Sequence, residues 1–335
     1  MMKQEKKTLH LLKAAQVQPF MGYFSSLGTP TEKLASKTRF QLAPVLEGKG
    51  VVAVLAAWKM IDAGADLEGC MSLGYECANQ SPIVSTSGFG GLHFRPANSL
   101  KQLLERFIED VKSDSTASLY TLVHSNNAYR FVRQSPFGDE YQSWQIEQYM
   151  ITRIIQIVRL CVSSDWLPDK LDISSSSRKL AIPKEWEAIN INWGAQDTGV
   201  WISEAVISQT IHEPESIQQN STLRLTNDST SLCFESFIKT QVINKQVGLE
   251  NTAEEFGMSS STLKILLSKF NTTYQELVEN ERYKLATRDL VETDKGLAIV
   301  AHDSGYGHAT NFSRAFRRIA GITPSQYRLL ARKNS

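Results

Sequence analysis

Apolar positions near the end of the chain recur with a helical period. Leu297, Val300 and Ala301 predict a short helix over 297–304. Gly305 follows, where a helix end favours a residue that tolerates left-handed backbone. Phe312, Phe316 and Ile319, at spacings of four and three, predict a second helix over 309–320 with one buried face. Its other face carries Asn311, Arg314, Arg317 and Arg318. Gly321 ends that helix, and Thr323-Pro324 opens a third in the cap-then-proline order that helix N-termini favour.

Upstream, the pattern alternates between two periods. Helical spacing predicts helices over 47–63, 100–112, 144–163 and 203–211. The second of these places Leu100, Leu103, Leu104, Phe107, Ile108 and Val111 on one side. Period-two alternation predicts strands over 118–124 and 128–133, joined at Asn126-Asn127, and shorter ones over 171–174, 189–193 and 200–202. Residues 73–77 lead into a loop over 85–91, and residues 1–40 fit no element clearly. The stretch 213–231 is polar, rich in Ser, Thr and Asn, and aperiodic, as expected of a linker. Beyond it the pattern is helical throughout: 234–247, 249–256, 262–270 and a long helix over 274–291. Leu249, Ala253 and Phe256 should face inward from the second of these, and Leu263, Leu266, Leu267 and Phe270 from the third. The expected division is an N-terminal domain over 1–212, a linker over 213–231 and a C-terminal domain over 232–335.

A helix, a tight turn and a second helix with a basic face is the layout of a helix-turn-helix. Here the residues go further. Ala298-x-x-Ala301, Gly305-Tyr306, the run from Asn311 to Arg318 (NFSRAFRR) and the run from Gly321 to Arg328 (GITPSQYR) resemble the signature of AraC/XylS-type transcription regulators. The resemblance implies an all-α C-terminal domain holding two helix-turn-helix units joined by a long helix. Both reading helices would then lie on one side, about one DNA turn apart. The N-terminal order of elements resembles, by pattern alone, the arabinose-binding-like effector domain of one branch of that family. The expected fold class is therefore an α+β N-terminal effector domain followed by the all-α domain.

Residue by residue, the family's base-facing positions match Ser261, Lys264 and Ile265 in the first unit and Ala309, Thr310, Asn311 and Arg314 in the second. Ser261 and Ile265 depart from the family's long polar side chains and cannot make bidentate contacts to guanine. Ile265 can pack on a thymine methyl or simply face solvent. Lys264 and Lys269 are expected to contact phosphates, so the first unit should discriminate bases weakly. Arg314 is the candidate for guanine and Asn311 for adenine. His308, Arg317 and Arg318 are candidate phosphate clamps; the plainer reading of the two arginines is a solvated face. Ser259 or Ser260 can cap the first reading helix, and the helix starts at Ser259 and His308 can offer backbone N–H groups to phosphate.

Charge sharpens this picture. The whole chain is nearly neutral at +1, but residues 295–335 hold seven basic residues against one acid, Asp303. Cys70, Cys77, Cys161 and Cys233 form no CxxC or Cys/His cluster, which argues against a zinc site and for reduced thiols. None of them has the base and loop that a nucleophile needs, so catalysis is not expected, nor any cofactor. The longest apolar block near the start, 51–58, is too short to span a bilayer. The expected partners are promoter DNA, RNA polymerase, a small-molecule effector and a second copy of the chain, in the bacterial cytoplasm and on the nucleoid. Phe20, Tyr23, Phe24 and Arg39 are suggestive of an effector pocket. The alternative is an N-terminal domain that serves only dimerisation or protein–protein interaction.

Overall fold

The chain enters its fold through a three-residue strand, β1 (Leu11–Lys13). The computed structural model describes residues 8–81, 97–112, 114–117, 119–125, 127–175, 181–210 and 230–333, which fall into two units divided at residue 230. Helices α1 (Gln18–Leu27), α2 (Thr31–Thr38) and α3 (Ala43–Glu47) follow β1. The first two supply structure that the pattern of residues 1–40 did not predict. Strand β2 (Val51–Ala53) then pairs antiparallel with β1, setting Leu11 opposite Ala53. The helix expected over 47–63 is thus corrected. Gly48, at φ 63°, ends α3, the buried Val-Val-Ala run pairs as a strand, and α4 (Val54–Glu68) begins only afterwards.

Helix α5 (Leu73–Gln80) was not expected, and the predicted loop 85–91 lies outside the described residues. Helix α6 (Leu100–Val111) follows its predicted span and is capped by Ser99, whose side chain accepts from the Gln102 N–H. Strands β3 (Leu119–Ser125) and β4 (Ala128–Gln134) form the predicted hairpin; Asn127 takes φ 59° in its turn, and Asn126 lies outside the described residues. Next come α7 (Trp144–Cys161), β5 (Lys170–Ile173), β6 (Asn190–Trp193), β7 (Thr198–Ser203) and α8 (Glu204–Ile207). The helix expected over 203–211 stops after one turn. There the chain bridges Thr210 to Ser99, and the Gln209 carbonyl accepts from the Leu100 N–H.

Five strands form one sheet in the order β3-β4-β7-β5-β6, antiparallel except for β5 with β6. Tyr120, Phe131 and Arg133 share its face toward α7. Helix α7 is buried nearly all round, including Gln145, Glu147, Gln148, Thr152 and Arg153. Those polar groups are spent inside. The Gln145 Oε1 accepts from the Gly74 N–H at 2.9 Å, and the Gln148 Nε2 donates to the Met71 carbonyl at 2.8 Å. Gly74 lets α5 and α7 meet, since a Cβ there would lie 1.9 Å from the Gln145 carbonyl oxygen.

The C-terminal unit is all helix: α9 (Thr230–Ile243), α10 (Leu249–Glu255), α11 (Ser260–Lys269), α12 (Tyr274–Glu292), α13 (Leu297–Asp303), α14 (Ala309–Ala320) and α15 (Pro324–Lys333). Helix α9 begins and ends four residues before its predicted span and takes in Thr230 and Ser231, which the expected linker had claimed. The rest of the linker, 213–229, lies outside the described residues. Two small cores hold the unit. Phe234, Phe237 and Phe256 gather in the first, with ring centroids 5.1–5.8 Å apart. Ala286, Leu290, Val300, Ala301, Phe312 and Phe316 form the second. Helix α12 serves both, giving Tyr274 to one end and Leu290 to the other. Its start is a reciprocal cap between Thr273 and Glu276.

Candidate nucleic-acid interface

Two exposed helix faces in the C-terminal unit carry the residues singled out above. Helix α14 is seated by Phe312 and Phe316, both fully buried, with Tyr283, Tyr306 and Tyr327 packed round them at 5.0–5.5 Å between ring centroids. Gly305 at φ 83° and Gly321 at φ 75° end α13 and α14, as their positions predicted. Ile319 departs from expectation: it is 38% exposed, because Ala320, four residues after Phe316, packs against the core at the helix end. Phe270 is likewise 41% exposed rather than inward. Helix α11 ends at Lys269, and Phe270 is its C-cap, off the helix's buried side.

With the phenylalanines buried, the opposite side of α14 is open. His308, Ala309, Thr310, Asn311, Arg314, Arg317 and Arg318 are all exposed. Thr310, Arg314 and Arg317 follow one another at spacings of four and three, so they share a face. His308 is the N-cap in extended conformation; its carbonyl accepts from the Asn311 and Phe312 N–H groups, and its side chain makes no cap bond.

The three arginines differ. Arg318 is ion-paired to Glu279 of α12, whereas Arg314 and Arg317 have no partner among the described residues. Other basic residues of this segment are also engaged. Lys295 bridges Asp289 at 3.0 Å and Asp303 at 2.8 Å, and holds the Asp303 carboxyl below its usual range. Arg328 donates to the Leu290 carbonyl at 3.3 Å and the Lys295 carbonyl at 2.6 Å, closing the C-terminal end of α12. Counting charge along the sequence therefore overstates the free positive charge. One of the pairs that consume it, Arg318 with Glu279, joins residues 39 apart in the chain.

Helix α11 presents a second open face. Ser261, Lys264, Ile265 and Lys269 are exposed, Ile265 at 60%. Leu263 and Leu267 are buried behind them, while Leu266 is only half-buried. The Ser259 hydroxyl accepts from the Thr262 N–H at 3.2 Å and bonds the Thr262 hydroxyl at 2.9 Å, so it is occupied as the cap; Ser260 is half-buried. Lys264 and Lys269 have no partner among the described residues.

Part of the C-terminal unit is similar in sequence to known proteins. Residues 252–329 match the family model described as a helix-turn-helix domain. An ornithine utilization regulator of Pseudomonas aeruginosa is 39% identical over 80 residues, which is 24% of this chain and 24% of that one. A putative AraC-like transcription regulator of Streptomyces lividans is 36% identical over 80 residues, 23% of this chain and 25% of the relative. The chain thus covers about a quarter of these relatives' own lengths. The crystal structure of the transcriptional regulator CdpR from Pseudomonas aeruginosa aligns over 93% of this chain and 97% of its own, at 15% identity and a TM-score of 0.37, too slight a likeness to inform the N-terminal unit. No described helix is long and apolar enough to cross a membrane. Within the C-terminal unit, residues 252–329 are thus similar to helix-turn-helix domains, including that of a putative AraC-like transcription regulator.

Proposed function

We propose that this chain regulates transcription by binding promoter DNA in a sequence-specific way, with α14 as the principal reading helix. Thr310, Asn311 and Arg314 face the base edges: Arg314 takes guanine and Asn311 takes adenine. Arg317 and the start of α14 at His308 and Ala309 hold phosphates. On α11, Lys264 and Lys269 hold phosphates, and Ser261 and Ile265 add little base preference. Ser259 acts through the helix start it caps, and Ser260 through the backbone N–H it contributes there. Arg318 departs from the clamp role expected of it and braces α14 through Glu279. The observation that carries this reading is the unpartnered Arg314 on the exposed side of a helix whose other side is locked by Phe312 and Phe316.

The N-terminal unit, up to about residue 212, governs the C-terminal one through a small effector. A cavity among α1, α4, β3, β4 and α7 favours this over a unit that only dimerises. The protein works as a cytoplasmic dimer that activates transcription alongside RNA polymerase. Fluorescence anisotropy of the full chain on duplex DNA tests the reading. Arg314→Ala should weaken specific binding roughly 5- to 150-fold, the equivalent of about 1–3 kcal/mol, and relax preference at one base pair. Lys264→Ala should weaken all duplexes alike and lower the salt dependence. Unchanged specific binding by Arg314→Ala would rule out the orientation given to α14.

A further inference from the structure

The cavity in the N-terminal unit has a volume of about 80 Å³. One water needs roughly 10–15 Å³, so the space exceeds a packing fault. Its walls are mostly apolar and aromatic, with Phe20 from α1, Trp58 from α4 and Tyr149 from α7 among them. Of the residues suspected from the sequence, Phe20 lines it; Tyr23, Phe24 and Arg39 do not. Water gains little in such a space, and a compact apolar group gains much.

The polar groups at the walls narrow the choice. Arg133 is buried, but its charge is already answered by Glu147, and its guanidinium lies 5.0 Å from the centre of the Trp58 ring. Asp114, beside the cavity, is answered by Lys13 at 2.8 Å. A charged ligand would therefore bring an uncompensated charge into a mostly apolar site. Gln16 is 6% exposed; its Nε2 donates to Asp114 at 3.0 Å, and its Oε1 has no partner among the described residues. The Tyr120 hydroxyl spends its proton on the Met150 sulfur at 3.3 Å, and its oxygen accepts from Arg133. The site thus offers an acceptor, the Gln16 Oε1, and wants a donor. A smaller void of about 10 Å³ lies behind Tyr120, Arg133 and Met150, which line both spaces. A rotamer change of the flexible Met150 would join the two and admit a whole ring.

We propose that this cavity binds a small, neutral, mainly apolar molecule of about one ring that carries a single hydrogen-bond donor, with phenol as the simplest example. The assignment rests on the effector half of the function proposed above. Calorimetric titration and thermal unfolding of the full chain test it with three probes: phenol, fluorobenzene, which keeps the ring and loses the donor, and benzoate, which adds a charge. Phenol should bind saturably and raise Tm, fluorobenzene should bind about tenfold more weakly, and benzoate should have no effect. Gln16→Leu should remove phenol's advantage over fluorobenzene, and Ala57→Met should fill the space and abolish binding of both. The probe series on the unaltered chain decides the matter even if a variant does not fold. Benzoate binding as tightly as phenol, or no saturable binding of either neutral probe, would overturn the assignment. DNA affinity measured in parallel separates the two ideas: phenol that binds without altering DNA affinity counts against effector control, not against the site.

Discussion

Glu279→Gln should make DNA binding tighter and more sensitive to salt. In the native chain Arg318 is spent on Glu279, though Arg318 itself is 62% exposed and sits on the same helix as Arg314. Such a partly exposed pair contributes only about 0.2–1 kcal/mol to stability, so the substitution should leave the fold nearly untouched. It frees one guanidinium and removes one negative charge close to the proposed interface. Each phosphate neutralised contributes roughly 0.9 to the slope of log K against log salt, so Glu279→Gln should steepen that slope by up to about 0.9. Between 50 and 200 mM salt that corresponds to roughly 3.5-fold more affinity lost. Arg317→Ala, which removes an unpartnered cation, should flatten the slope by about the same amount, and Arg318→Ala by much less. Anisotropy titrations of the full chain on one duplex at four salt concentrations give all three slopes. Equal losses for Arg317→Ala and Arg318→Ala, with no change for Glu279→Gln, would show that Arg318 leaves Glu279 for the DNA and that the division among the arginines is wrong.

Two further predictions concern the N-terminal unit. Gly74→Ala drives a methyl into the Gln145 backbone carbonyl, so it should destabilise this unit by about 1–3 kcal/mol or more, read as a lower urea midpoint; an unchanged midpoint would mean α5 and α7 do not meet at Gly74. Burial raises the Asp62 carboxyl to about 6, against the hydrogen bonds donated by Tyr141 and Ser143 at 2.6 Å, which oppose the rise. A carboxyl that holds its proton more tightly folded than unfolded stabilises when protonated. Its contribution is complete below about pH 4 and fades as the pH rises through 6, by roughly 3 kcal/mol in all. Urea midpoints of Asp62→Asn should lack this decline, and parallel pH profiles for the two proteins would count against it.

Much of the C-terminal unit was legible in the sequence because its signals are local. Phe312 and Phe316 recur at four residues, and Gly305 and Gly321 punctuate their helices as left-handed caps must. What was not legible depends on partners distant in the chain. The Val51–Ala53 strand exists because Leu11–Lys13 lies beside it, and nothing within 47–63 announces that partner. Helix α5 is short and polar, and its burial comes from α7, some seventy residues on. The inward glutamines of α7 look like a solvent face until α5 offers them backbone groups. Arg318 reads as a free cation because Glu279 stands 39 residues away. Arg133 could have been placed inside from the sequence, since it stands two residues after Phe131 in an alternating strand and so shares its face.

Selection of duplexes from a random pool by the full chain tests the central claim most directly, that α14 reads DNA and α11 mainly holds it. The account predicts an enriched site with strong base preference, including guanine, in the segment under α14, and weak preference in a neighbouring segment under α11. Arg314→Ala should erase that guanine alone. No enriched sequence at low salt, or a guanine preference that survives Arg314→Ala, would contradict it.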